Sequence, residues 1–100
     1  MIISDVIKRG AAYSILDTTG KEISTISILS GDLLGMGNDF LVLKRDMVYI
    51  TYNEKGQQLS TLPIQNGNFK NISGNTFNLT RDALVLSFNK YCNKTSSHPI

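Results

Sequence analysis

Apolar and polar residues alternate along much of this chain, and runs at helical spacing are weak. A period of two marks a strand with opposite faces, whereas a period near 3.6 marks a helix. In residues 48–52, Val48, Ile50 and Tyr52 face one way and Tyr49 and Thr51 the other. Residues 84–88 repeat that face with Leu84, Leu86 and Phe88. Residues 12–16 give a weaker copy, in which Ala12, Ser14 and Leu16 hold those places and Tyr13 and Ile15 look opposite. Strands apolar on both faces are covered on both sides.

Each of these strands runs into a turn. Asp17-Thr-Thr-Gly20 and Asn53-Glu-Lys-Gly56 begin with Asx and end with Gly, the pattern of a type I turn closed by a left-handed glycine in a hairpin. The third copy, Asn89-Lys-Tyr-Cys92, has Cys where Gly belongs. A side chain at positive φ costs about 1 kcal/mol, so a distorted or longer turn is expected there. The partner strands are 22–28, 58–64 and 94–100. Pro63 and Pro99 each remove a ladder donor, so this strand end is expected to lie at an edge or to leave the sheet. A further strand precedes each arginine, with Leu41 and Leu43, Phe77 and Leu79, and Ile7 as its apolar positions. Before it, residues 31–38 and 67–75 hold a short opening strand between Gly and Asn turns. A helical turn over 33–36 is the alternative, and the flanking glycines argue against it.

The text is written three times. A shift of 36, from Arg9 to Arg45 and from Arg45 to Arg81, aligns it. The first step matches Val6, Lys8, Arg9, Tyr13, Gly20, Ser24, Thr25 and Ile28 to identical residues, eight in all. The second matches Gly31, Leu43, Arg45, Asp46, Asn53, Ser60, Pro63 and Ile64, again eight. About two would be expected by chance for ordinary composition. The units are 1–28, 29–64 and 65–100, about 2.8 copies, and the first lacks the opening strand. The expected fold is all-β: tandem 36-residue antiparallel meanders in one domain, 1–100, with about ten strands and essentially no helix.

A lone meander cannot bury both faces, so the units pack on each other. The order of the text (a Gly-Asn turn at Gly37-Asn38, a strand, Arg45-Asp46, a second strand, Asn53–Gly56, a third strand) resembles a β-propeller blade. Trp-Asp and Gly-His pairs, which mark one common blade type, do not occur here. The resemblance implies blade-like packing and no particular chemistry. A propeller normally needs at least four blades, so it also implies an oligomer, such as two chains closing a six-bladed ring. A β-trefoil, and a small sandwich or open barrel, are the alternatives.

Composition narrows the function. One hundred residues with 41% apolar content make a single folded domain. A net charge of +2, with no basic run beyond Lys8-Arg9 and Lys44-Arg45, argues against a nucleic-acid partner. Cys92 is the only cysteine, so no internal disulfide forms. No stretch approaches the ~18 apolar residues of a membrane span, and the start MIISDVIKRG lacks the form of a signal peptide. A cytoplasmic protein without membrane or cofactor is expected.

Candidate chemistry is sparse. His98 is the only histidine and stands at the repeat position of Leu62. A Cys92–His98 dyad would lack an orienting third group, and one His with one Cys makes no metal cluster. Gly35-x-Gly37 leads into a strand, so it lacks the helix N-terminus a phosphate would need. The repeated arginines Arg9, Arg45 and Arg81 sit at strand junctions, where they either bond carbonyls or Asp46 and Asp82 across a turn, or form a ring of guanidinium groups for an acidic partner. Asp17, Asn53 and Asn89 with Tyr13, Tyr49 and Tyr52 either build turns and sheet or form repeated sugar pockets. Val85 replaces the tyrosine in the third unit. The expected function is a non-enzymatic, self-associating protein-interaction module that works through open strand edges. A lectin-like carbohydrate module is the second reading, and a small enzyme the third.

Overall fold

The computed structural model describes residues 2–100. It contains eleven strands and two single-turn 3₁₀ segments, with no longer helix. The strands are β1 (Asp5–Arg9), β2 (Ala12–Leu16), β3 (Glu22–Ser27), β4 (Asp32–Met36), β5 (Phe40–Arg45), β6 (Val48–Asn53), β7 (Gln58–Pro63), β8 (Asn68–Ser73), β9 (Thr76–Arg81), β10 (Leu84–Asn89) and β11 (Lys94–Pro99). They form three separate antiparallel meanders: β1-β2-β3, β4-β5-β6-β7 and β8-β9-β10-β11. Each sheet is one repeat unit, and the first has three strands where the others have four. The 3₁₀ turns at Ile28–Ser30 and Ile64–Asn66 join one sheet to the next. A trefoil, which shares one barrel among its repeats, is therefore not the arrangement. The opening segment 33–36 is extended, as the glycines suggested.

Two cores lie between the sheets. Tyr13, Ile15 and Ile26 of the first sheet meet Leu41, Leu43, Ile50 and Tyr52 of the second. Phe40, Val42, Tyr49 and Leu62 on the opposite face of the second sheet meet Phe77, Leu79, Leu86 and Phe88 of the third. The middle sheet is thus covered on both sides, which is why β5 reads as an unbroken apolar run, Phe40 to Leu43, each fully buried. Phe77 and Phe88 stack with centroids 5.5 Å apart.

The outer faces differ. On the third sheet, the position equivalent to Val42 is Asn78, which donates from Nδ2 to Asn71 Oδ1 at 2.7 Å and accepts from Ser87 Oγ at 2.6 Å. The positions of Phe40 and Leu62 are Thr76 and His98. On the first sheet, the position of core residue Ile50 is Ser14, whose hydroxyl donates to Glu22 Oε1 at 2.8 Å. The third sheet therefore turns a hydrogen-bonded polar surface outward, whereas the outer face of the first mixes the Ser14–Glu22 bond with Ile7 and Leu16.

Repeated residues fix the joints. Gly31 and Gly67 open β4 and β8 at φ 140° and 149°. A Cβ there would stand 2.8 Å from the Lys44 and Thr80 carbonyl oxygens respectively, so glycine is required on both counts. The 53–56 and 89–92 turns keep the same bonds: Gly56 N to Asn53 O at 3.0 Å and Cys92 N to Asn89 O at 2.9 Å. The distorted turn expected at Cys92 does not occur. Cys92 takes φ 62° and its half-buried side chain joins the second core.

Candidate functional site

The residues singled out from the sequence fall into equivalent backbone settings. Arg9, Arg45 and Arg81 each end the strand before a two-residue hairpin loop, and all three are exposed. They form no ion pair. The one salt bridge among the described residues joins Lys90 Nζ to Asp39 Oδ2 at 2.7 Å. Asp46 and Asp82 have another use: they take the left-handed first loop position, at φ 55° and 57°, where Gly10 stands at 57°. Gly and Asp are among the residues that tolerate this conformation, so the Gly10 exchange preserves the turn. The three guanidinium groups therefore stand one on each sheet, at the same hairpin end.

Asp17, Asn53 and Asn89 build turns. Asp17 Oδ1 accepts from Thr19 N and Lys21 N, and Asn53 and Asn89 Oδ1 do the same two and four residues on. The Thr19 hydroxyl, followed by the Lys21 and Thr19 backbone amides, holds the Asp17 carboxyl below its ordinary range. Tyr13 and Tyr49 are buried, so neither ring is open for a sugar to stack on. Their hydroxyls donate to Gly31 O at 2.9 Å and Gly67 O at 2.7 Å, in the following sheet. Burial raises the Tyr49 pKa. Cys92 and His98 do not meet. The thiol is held by Ser60 and Thr51, burial pushes its pKa up, and exposed His98 pairs with Val85 towards the far end of β11.

Two features remain open, at opposite ends of the polarity scale. The first is the outer edge of β1. Its counterparts β5 and β9 pair with β4 and β8 on that side, whereas β1 pairs only with β2. The ladder alternates from the Arg9–Ala12 pair that closes the hairpin, so Val6 and Lys8 turn their backbone groups outward. Val6 N–H is covered by its neighbour's side chain, at 2.8 Å from Asp5 Oδ1. Beside this edge lie Leu33 and Met36, half-buried on the first core. Their repeat counterparts, Phe69 and Ile72, sit against β4, the opening edge strand of the preceding sheet, where a Cβ on Gly35 would lie 3.0 Å from Ile72. The strand slot at β1 therefore has an unpaired backbone and an apolar ledge.

The second is a cleft of about 240 Å³ at the turn end of the second and third sheets, lined by Asp39, Asn75, Asn89, Lys90 and Tyr91. The sequence offered Asn89 alone of these as a site residue, because the others lie in three separate turns. Among the described residues no cluster of three or more His, Cys, Asp or Glu could hold a metal, and no helix is long and apolar enough to cross a membrane.

The fold is an all-β stack of three meander sheets, in which β1 has no strand on its outer edge among the described residues. Comparison with known protein families, curated proteins and solved structures gave no match.

Proposed function

We infer that this is a non-enzymatic binding and assembly module, which takes up an extended strand from a second copy or a partner protein on the outer edge of β1. One observation carries the reading: β5 and β9 are each covered by an opening strand, and among the described residues the equivalent edge of β1 is not. Strand addition supplies main-chain hydrogen bonds for affinity and side-chain pockets for selectivity. The covered edges give the specification of the guest. On β5 the opening strand sets Asp32 opposite Lys44 and glycine opposite Val42, and Lys8 and Val6 hold those places in β1. A guest with an acidic residue opposite Lys8 and a small one opposite Val6 meets the same surface. Self-association is proposed through this edge rather than by blade-like closure of a ring, because the outer face of the third sheet is polar. Asp5 acts as the guard of the edge, since a guest must displace its carboxylate from Val6 N–H.

The test uses the chain's own opening strand as the probe. A peptide of sequence GDLLGMGN (residues 31–38) is titrated into the protein, and the Val6 and Lys8 amides are followed by NMR and hydrogen exchange. Binding is expected to shift and protect both amides. Asp5→Ala should strengthen it. Lys8→Pro should abolish it while β1–β2 pairing survives, because that N–H points away from β2. Absence of protection, or binding that persists in Lys8→Pro, overturns the proposal. Sedimentation at rising protein concentration identifies a second copy as the guest.

A further inference from the structure

The polar cleft between the second and third sheets has no counterpart between the first and second, although the backbone repeats. By the shift of 36, the places of Asp39, Asn89, Lys90 and Tyr91 are held there by Ile3, Asn53, Glu54 and Lys55. Ile3 is buried in the first core, and its N–H donates to Asn38 O at 2.7 Å. An apolar plug thus closes one junction, and a carboxylate stands in its place at the other. Joining the sheets does not itself require the polar set.

Hydrogen bonds already made decide what the cleft offers. Asp39 Oδ2 accepts from Lys90 at 2.7 Å, leaving its second oxygen as an acceptor. Asn75 Oδ1 accepts from Asn38 Nδ2 at 3.2 Å, leaving its NH₂ group as a donor. Asn89 Oδ1 accepts from the Tyr91 and Asn93 amides, which likewise leaves its NH₂. Tyr91 is 54% exposed, and Lys90 Nζ stands 5.6 Å from its ring centroid. The lysine and aspartate cancel in charge, so nothing in the cleft selects an ion. Two amide donors, a carboxylate acceptor and an aromatic ring suit a ligand whose neighbouring hydroxyls both donate and accept. The volume of about 240 Å³ lies below the roughly 300–1,000 Å³ of sites for drug-sized ligands, which limits the ligand to about one ring.

We propose that the cleft formed by Asp39, Asn75, Asn89, Lys90 and Tyr91 binds a neutral monosaccharide unit. Asn75, Asn89 and Asp39 engage its hydroxyls, and Tyr91 lies against its apolar face. The site shares only Asn89 with the sugar pockets expected from the sequence and is independent of the β1 edge.

The experiment titrates the full chain with methyl glucopyranoside, galactopyranoside and mannopyranoside, and with glucuronate as the charged comparator, following backbone and side-chain amides by NMR. At least one neutral sugar should give saturable shifts at Asn75, Asn89, Lys90 and Tyr91, with a midpoint on the order of 1 mM, typical of a few exposed contacts. Residues 17–20, the equivalent turn of the first sheet, should stay unmoved. Asn75→Ala and Tyr91→Ala, both at exposed positions, should each weaken binding about tenfold, and Lys8→Pro should leave it unchanged. Absence of saturable shifts with all three sugars overturns the proposal. So do shifts that survive both substitutions, or glucuronate binding as tightly as the neutral sugars.

Discussion

The Tyr49 hydroxyl donates to the Gly67 carbonyl oxygen at 2.7 Å, across the joint between the second and third sheets. Tyr13 and Gly31 repeat the bond at 2.9 Å across the first joint. Tyr13 on β2 and Tyr49 on β6 hold equivalent repeat positions, and the glycine opens the next sheet at a φ only glycine adopts readily. Val85 holds the third tyrosine position, on a sheet whose outer face carries no further sheet. The strap and the stacked face are thus present or absent together.

Removing a strap should therefore loosen a joint. Tyr49→Phe leaves a buried carbonyl without its donor, which costs about 1–3 kcal/mol. Tyr13→Phe, in a less buried setting, should cost less. Urea unfolding of the two variants measures the difference. Equal, negligible losses would show that the straps carry no stability.

The same groups predict a decline at alkaline pH. Burial raises the Tyr49 phenol above 10.0 and the Cys92 thiol above 9.0 in the folded chain. The folded state binds both protons more tightly than the unfolded state. Their contribution is complete below pH 9 and is lost as pH rises through the raised values. Denaturant midpoints recorded from pH 7 upward should fall from about pH 9, and Tyr49→Phe should flatten the upper part of that fall. The Cys92 thiol should also react slowly with alkylating reagents until the protein unfolds, since the thiolate is the reactive form.

Cys92 at φ 62° sets strain against packing. Cys92→Gly relieves about 1 kcal/mol of left-handed strain and gives up a half-buried side chain, so thermal unfolding should move little. Cys92→Val places a β-branched residue in that conformation and should destabilise clearly. A strongly destabilised Cys92→Gly would show that packing outweighs strain there.

The polar outer face of the third sheet should be what keeps it uncovered. Asn78→Val with His98→Leu restores the residue types of Val42 and Leu62, which bury against a neighbouring sheet. Light scattering should then show association that rises with concentration and does not need the β1 edge, so Lys8→Pro should not suppress it. In the interior, Phe77 is fully buried between two phenylalanines. Phe77→Ala should cost about 3–5 kcal/mol by urea unfolding.

Most of the secondary structure was legible because β2, β6 and β10 repeat a period of two and two of the three turns that follow them run from Asx to Gly. Alignment on Arg9, Arg45 and Arg81 then placed these residues in equivalent settings, and the three strands of the first sheet match its shorter unit. The roles of the polar residues were less legible. Nothing in the one-dimensional text says that Tyr13 and Tyr49 point into cores, or that Asp46 serves a dihedral angle rather than the neighbouring arginine. A turn keeps its hydrogen-bond pattern with Cys in place of Gly because the second core takes up the side chain. That compensation comes from residues far back in the chain, such as Tyr49 and Leu62, which share the core with Cys92.

By itself, then, the sequence determined the strands, their turns and their threefold order, since those depend on residues a few places apart. Only the tertiary structure decided which face of each sheet is covered, and that Asp39, Asn75, Asn89, Lys90 and Tyr91 line one cleft. Those properties depend on how sheets stack, which brings together residues as far apart as Asp39 and Lys90. Stacking is fixed by the summed burial of many side chains rather than by any local pattern.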